Sequence, residues 1–250
     1  MAVFYGSRGA GGLWHAPHVS LPIAHVRYKV PQALGSRCAV VIPVSYAVGG
    51  ASPSDLEREA SYEGVEIPSL GIQPWNDVSG PAKGYLEFFG LADVEPGGTV
   101  DVTVAGFALS PRSVRSSAIV GTGVEALGEV VKSYGTGDTL TCTGNAPAAG
   151  IIVQAFAARS GLAGYTQQQR YLDNTGIALM IGDAEGTGSS VSFGATMAKA
   201  GPWAGMSVVL EPADIVATVK PLVAEPILKA SGRRLPRPGL PRRVTFDIKD

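Results

Sequence analysis

The fold of this 250-residue chain is decided by the stretch GIIVQAFAA, from Gly150 to Ala158. The run is short for a helix and too apolar for a loop, and it follows the turn-forming sequence Gly144-Asn-Ala-Pro147. It therefore predicts a central, buried β-strand. About ten such runs, rich in Val, Ile, Phe, Tyr and Thr and closed by turn residues, recur between Arg37 and Pro212 at the spacing typical of a sandwich or barrel.

Two further patterns support the all-β interpretation. In Thr99–Ala105 apolar and polar residues alternate strictly, which places Val100, Val102 and Val104 on a buried face. Residues 60–68 predict a hairpin that turns at Glu63 and Gly64. The 33 Gly and 18 Pro residues favour many turns. We therefore predict an antiparallel, jelly-roll-like β-sandwich over residues 23–212, with extended arms at 1–22 and 213–250.

Some segments give weaker patterns. Val124–Val131 is compatible with one or two helical turns. Residues 69–82 predict a long loop that exposes Trp75. Pro43 restricts its strand to an edge, an end or a bulge, because proline lacks the N–H that a central ladder needs.

The two arms carry the residues that we expect to dock on neighbouring subunits. The N-terminal arm contributes four large apolar or aromatic residues, Phe4, Tyr5, Leu13 and Trp14. The C-terminal strap is rich in Pro and Arg, which favours an extended chain. Its candidate docking residues are Arg233, Arg234, Arg237, Arg242, Arg243 and Phe246.

Charge is distributed unevenly along the chain. Residues 30–212 hold nine Lys or Arg and seventeen Asp or Glu, whereas residues 1–29 have a net charge of +3 and residues 213–250 of +4. Basic tails of this kind are expected to dock on acidic surfaces, such as the body of a second copy. After the strap, Val244–Asp250 alternates apolar and polar residues and is suited to join a neighbouring sheet as a strand.

The sequence gives little indication of catalysis. All three histidines, His15, His18 and His25, precede the strand-rich stretch Arg37–Pro212, which argues against histidine-dependent catalysis and most zinc sites in its core. Cys38 and Cys142 are interpreted as free buried thiols, or as one disulfide if their strands are neighbours. We expect no cofactor.

Carboxylates offer the remaining chemical candidates. Glu63 with Glu66, or Glu87 with Asp101, could form a glycosidase pair, but Glu63 lies at a turn and the latter two occupy outward strand positions. Asp183 and Glu185 could bind calcium, although a Gly-rich turn explains them more simply.

Composition also limits the partners. The chain has no run of about 18 apolar residues, so no membrane span is expected, and its first residues do not resemble a signal peptide. We expect a soluble chain made inside the cell. The Arg-rich strap has no interleaved aromatic residues, so protein docking is favoured over nucleic acid.

Several of these runs together resemble the sandwich domains of minor tail proteins from tailed phages of actinobacteria. The resemblance covers about residues 37–212 and is a pattern without an invariant motif. It is carried by the strand Ala39–Ser45, the YEGV hairpin at Tyr62–Val65, LEFFGL at Leu86–Leu91, GTVDVTV at Gly98–Val104, a Ser/Val strand in the second half, IIVQAFA at Ile151–Ala157, GSSVSFG at Gly188–Gly194 and WAGMSVVL at Trp203–Leu210.

This resemblance implies a non-enzymatic structural protein in the tail or tail tip of a virion, made in the host cytoplasm. It further implies a symmetric oligomer with other tail proteins as partners. Sandwich modules of this rhythm also bind carbohydrates, so a second hypothesis is recognition of host-surface glycans. Its candidate contacts are Trp75 and Tyr165, since both fall in predicted loops.

Overall fold

The protein is all-β in the computed structural model, which describes residues 2–15, 23–33, 37–47, 53–75, 84–106 and 113–213. All of these residues belong to one compact unit, Met1–Ile215. They contain one 3-10 helix, Pro53–Asp55, and no α-helix. Their seventeen strands are β1 (Phe4–Arg8), β2 (Gly12–His15), β3 (Ile23–Lys29), β4 (Cys38–Ala47), β5 (Leu56–Tyr62), β6 (Val65–Glu66), β7 (Ser69–Trp75), β8 (Gly84–Val94), β9 (Thr99–Gly106), β10 (Ser113–Ser116), β11 (Ile119–Thr122), β12 (Val124–Asn145), β13 (Ile151–Ala158), β14 (Leu162–Ala163), β15 (Gln168–Asp173), β16 (Ala178–Glu185) and β17 (Ser190–Pro212).

The strands form three antiparallel sheets, which confirms the predicted all-β class. Sheet A has seven strands, and across it β7, β8 and β4 are followed by β10 and β11, and then by β2 and β1. Sheet B has the order β3-β9-β5-β6. Sheet C has the order β12-β17-β13-β16-β15, with β14 also paired to β17.

In sheet A, the strand pairing on one side of β4 is interrupted at Pro43. This proline lies inside β4, which pairs with β8 on one side and with β10 and β11 on the other. The break between β10 and β11, at Ser117 and Ala118, lies opposite Ile42 and Pro43. A central strand thus tolerates proline because its neighbour stops pairing there.

Sheet B follows its sequence pattern closely. Val100, Val102 and Val104 are buried as predicted. The hairpin turn falls at Glu63 and Gly64, whose φ values of +51° and +76° fit the twist that two-residue hairpins prefer.

Sheet C contains the strand from which the fold was predicted. Every residue of β13 is buried, and the strand lies between β16 and β17, which confirms its central position. The helical alternative for Val124–Val131 is wrong, because this segment begins the 22-residue strand β12. Its apolar spacing is disturbed by register shifts between Val124 and Ala126 and between Leu127 and Val130, so no period of two was visible.

Three apolar cores hold the sheets together, and sheet A contributes to two of them. Alternate residues of β4 point in opposite directions: Val40 and Ile42 join a core with sheet B, whereas Ala39 and Val41 join a core with sheet C. The third core lies on the other face of β13, where Phe156 joins Leu140 and Phe193 from β12 and β17.

Both cysteines lie in these cores as free thiols. Cys38 belongs to the core with sheet B and Cys142 to the third core. Burial raises the pKa of both thiols, so each stays protonated and behaves as a small apolar side chain.

The N-terminal segment, expected as an arm apart from the sandwich, lies within sheet A. β1 pairs with β11 and β2 pairs with β10, so these two short strands form one border of the sheet. Close packing on sheet B requires glycine at position 12, since a Cβ there would lie 2.3 Å from Val26 Cγ1. The C-terminal strap, residues 214–250, lies outside the described residues.

Trp75 is also placed differently from the prediction. Residues 69–75 form strand β7, and Trp75 is 1% exposed within the core between sheets A and C. Its ring covers Gly84, where an added Cβ would lie 2.3 Å from Trp75 Cζ2. The prediction that Trp75 is exposed in a loop is wrong. Gly84 has no side chain, so the Trp75 ring can pack directly over its backbone.

Trp75→Ala should therefore lower the free energy of unfolding by about 3–5 kcal/mol, the range for truncating a buried aromatic residue. Chemical denaturation measures this change. Tyr134→Ala is the matched control, because Tyr134 is 71% exposed and its loss should change stability by about 0.5 kcal/mol or less. Equal effects of the two substitutions would contradict the placement of Trp75.

Candidate functional site

The two aromatic residues expected to contact glycans are both involved in packing. Trp75 offers no ring face to solvent. Tyr165 is half-buried: its hydroxyl donates to Gln154 Oε1 at 2.7 Å, and its ring packs against Phe156 and Phe193. Burial raises the pKa of Tyr165. Neither residue therefore presents the free aromatic platform on which the glycan hypothesis was based.

Shallow depressions do occur on sheet C, one beside β12 and β17 and another beside β15, β16 and β17. The two, of about 450 and 560 Å³, share Gln167 and Ser192 in their linings. Hydroxyl and amide groups there can hydrogen-bond polar ligands. The aromatic residue that lines the smaller depression, Phe193, is fully buried, and the residues that line the larger one include no aromatic residue.

Glu87 forms a buried polar network instead of the predicted solvated face. Its side chain is 1% exposed, and three donors reach its carboxylate. Arg58 Nη1 donates to Oε1 at 2.8 Å, Ser69 Oγ donates to Oε1 at 2.6 Å, and Tyr46 donates to Oε2 at 3.1 Å. The expected outward position is wrong, and the network joins sheet A to Arg58 of sheet B.

The second carboxylate of the proposed glycosidase pair lies elsewhere. Asp101 is on the exposed face of sheet B, where Oδ1 is 3.0 Å from His25 Nε2 and 3.6 Å from Arg27 Nε. The two carboxylates of the alternative pair, Glu63 and Glu66, have different surroundings. Glu63 accepts a hydrogen bond from the backbone N–H of Thr99, whereas Glu66 lines a shallow groove with Asp101. Because Glu87 is enclosed and Asp101 faces outward, these two carboxylates do not face a common space.

Asp183, a candidate calcium ligand, has a cationic partner. Arg170 donates to it through Nε at 2.5 Å and Nη2 at 3.1 Å, and Asp183 is 4% exposed. Such a two-point ion pair uses both carboxylate oxygens. Within the described part of the chain, no group of three or more His, Cys, Asp or Glu residues could hold a metal ion.

The same arginine holds the N-terminal segment. The Arg170 guanidinium lies 3.7 Å from the centre of the Tyr5 ring, a geometry that attracts a cation to an aromatic face. Burial raises the pKa of the Tyr5 hydroxyl, and the charge of Arg170 partly opposes this. Tyr5, expected to dock on a neighbour, therefore docks on sheet C of its own chain.

A third buried ion pair was missed in the sequence. Arg115, in β10, is fully buried and pairs with Asp173 at the end of β15. It also donates to the carbonyl of Thr175. The lone arginine in Ser113-Val-Arg-Ser116 gave no signal, because its partner is 58 positions further along the chain.

The most exposed apolar groups of the N-terminal segment lie on strands that end sheet A. We call β1 and β2 together the N-terminal edge, because no described strand pairs with their outer side. Phe4 on β1 is 61% exposed and Leu13 on β2 is 40% exposed. An unpaired strand bearing apolar side chains is a template for another chain.

The other borders of the three sheets carry the features that discourage such pairing. β7 contains Pro74, β3 at one border of sheet B carries Arg27 and Lys29, and β6 at its other border is only two residues long and includes Glu66. β12 carries several charged residues and β15 carries Arg170 and Asp173. β2, with the sequence GLWH, has no Asp, Glu, Lys or Arg. The N-terminal edge is thus the least protected border among the described strands.

The side chains of the remaining predicted docking residues lie outside the described part of the chain. Trp14 lies in β2 by its backbone, and its side chain is outside the described part. The strap residues, Arg233, Arg234, Arg237, Arg242, Arg243 and Phe246, also fall outside the described residues. Their docking role stays a prediction.

Comparisons of this chain with protein-family models, with curated proteins and with solved structures find no match. In the described residues, no helix has the length and apolar character needed to cross a membrane.

Arg58→Met should destabilise the protein by about 3 kcal/mol, the low end for breaking a buried ion pair, because Arg58 is itself 24% exposed. The substitution leaves the Glu87 carboxylate buried without its cation. Adding Glu87→Gln to this variant should restore part of the loss in chemical denaturation. Arg27→Met is the control, and its exposed pair with Asp101 should be worth about 0–1 kcal/mol. Similar losses in both single variants would contradict the assignment.

Arg170→Met should loosen the N-terminal edge, because it removes the cation over Tyr5 while keeping an apolar stem. We expect faster amide hydrogen exchange in Phe4–Arg8, measured by mass spectrometry. Arg8→Met is the control from the same strand, since Arg8 makes a longer contact, 5.8 Å from the centre of the Tyr171 ring, and is exposed, so its loss should change the exchange less. Unchanged exchange in β1 of the Arg170 variant would show that the stacking does not hold this strand.

Proposed function

We propose that this chain is a non-enzymatic structural subunit of a phage tail or tail tip, which assembles with copies of itself and with other tail proteins. The observation that carries the proposal is the N-terminal edge, an unpaired strand border with Phe4 and Leu13 exposed. It lies in the segment for which the sequence predicted subunit docking. The particular setting, a virion tail, comes from the sequence resemblance.

The use of buried charge also supports a structural role. Glu87 with Arg58 joins sheets A and B, and Arg115 with Asp173 joins sheets A and C. Breaking a pair of this kind is costly because it leaves a buried charge uncompensated. Ion pairs that connect the sheets in this way suit a structural protein, which must keep its shape within an assembly.

The arrangement of sheets is compatible with the jelly-roll-like sandwich expected of such a subunit. Three sheets stack through apolar cores, and their faces are largely used for packing. Host-surface glycan is not included in the proposal, because the ring of Trp75 is buried.

The proposal predicts that this chain is present in phage tails and enters them through the N-terminal edge. Particles should be assembled with each variant as the sole source of the chain, purified, and examined by mass spectrometry and by antibody labelling in the electron microscope. Phe4→Asp with Leu13→Asp should reduce incorporation at least about tenfold, since charged groups at a contact centre cost more than 1.4 kcal/mol.

Val65→Asp is the matched control. Val65 is 58% exposed on β6, the border of sheet B opposite to β3, and its substitution should leave incorporation unchanged. Absence of the wild-type chain from purified particles would refute the proposed function. Normal incorporation of the Phe4 and Leu13 variant would refute the role of the edge.

A further inference from the structure

We propose that the N-terminal edge binds residues 244–249 of a second copy of this chain, which add to sheet A as an extra β-strand. The inference rests on the proposed function, because it names the contact by which subunits join. The chemistry that recognises the partner is backbone pairing along the edge, with apolar side chains fixing the register.

The edge has the groups that such pairing requires. β2 pairs with β10 on one side, so alternate backbone N–H and C=O groups point outward from its other side. Leu13 and Phe4 extend from the same border into solvent. A strand that paired with β2 would satisfy its outward backbone groups and cover Leu13.

The proposed occupant has the pattern of a strand buried on one face. In Val244-Thr-Phe-Asp-Ile-Lys249 the apolar residues Val244, Phe246 and Ile248 alternate with polar ones, which places them on one face. Six residues extend about 20 Å, which is enough to pair with all four residues of β2.

The chain leaves the described body next to the edge. The amide of Ala213 donates to the carbonyl of Gly123 at 3.1 Å. Gly123 in turn lies against Ala2, since an added Cβ would be 2.6 Å from the Ala2 carbonyl oxygen. The strap therefore starts within a few residues of β1.

The length of the strap permits contact with a second copy. Residues 214–243 contain five prolines, Pro221, Pro226, Pro236, Pro238 and Pro241, which favour an extended chain of about 3.1 Å per residue. The strap can thus span about 90 Å, roughly twice the diameter expected for a body of this size. The strap is therefore long enough to reach the edge of a neighbouring copy, and the proposed self-assembly selects that copy as the partner.

The test is disulfide cross-linking between two single variants of the full chain, Leu13→Cys and Phe246→Cys, mixed and oxidised. We expect a disulfide between the two different chains, identified by mass spectrometry of the linked peptides. Its yield should exceed that of the control mixture, Val65→Cys with Phe246→Cys, by about tenfold, because docking raises the local concentration of the two thiols. Unlabelled peptide 243–250 should suppress the product by competition. The native thiols Cys38 and Cys142 are buried and free, so wild-type chain gives the background.

Two results would overturn the inference. Equal yields from the test and control mixtures would show that the edge is not the docking site. If the double variant Leu13→Cys/Phe246→Cys formed only a disulfide within one chain, and the mixed single variants formed none, the strap would bind its own edge.

The cross-linking test can fail without refuting the proposed function, and the reverse is also true. Loss of the specific cross-link, with the chain still found in tails, would reject only the strap contact. A specific cross-link in a chain that is absent from phage particles would keep the strand exchange and reject the tail.

Discussion

Sheet A is covered on both faces, and the rest of the structure depends on this constraint. All but the last residue of β4 are buried, with alternate side chains entering the cores with sheets B and C. A strand in this position has no solvated face, so its polar neighbours must find partners inside the protein. Glu87 and Arg115 do so through ion pairs that reach into sheet B and sheet C, respectively.

Covering both faces leaves the borders of the sheets as places for interaction. Most of these borders carry charged residues or proline, which discourage pairing with another chain. The N-terminal edge is an exception, and its attachment explains how it stays ordered. Gly12 lets β2 approach sheet B closely, while Arg170 holds Tyr5 against sheet C.

The candidate surface was only partly predictable from the sequence. Phe4 and Leu13 were identified because a solvated tail rarely carries large apolar residues. Tyr5 belonged to the same pattern, yet it binds within its own chain, because Arg170 comes from a strand that is more than 160 positions away in sequence. Trp75 was misplaced for a related reason: a flanking Pro-Trp-Asn sequence favours a loop, and the open space above Gly84 is invisible in one dimension.

By itself, the sequence determined the class of fold and the buried face of strands with a regular period. The apolar run Gly150–Ala158 indicated a central, buried strand. The alternation in Thr99–Ala105 indicated a strand with one buried face, because successive side chains in a strand point to opposite faces. The tertiary structure alone decided which strands share a sheet, which charges are paired, and which border stays open. These features depend on contacts between residues far apart in the chain, and a local pattern contains no information about such contacts.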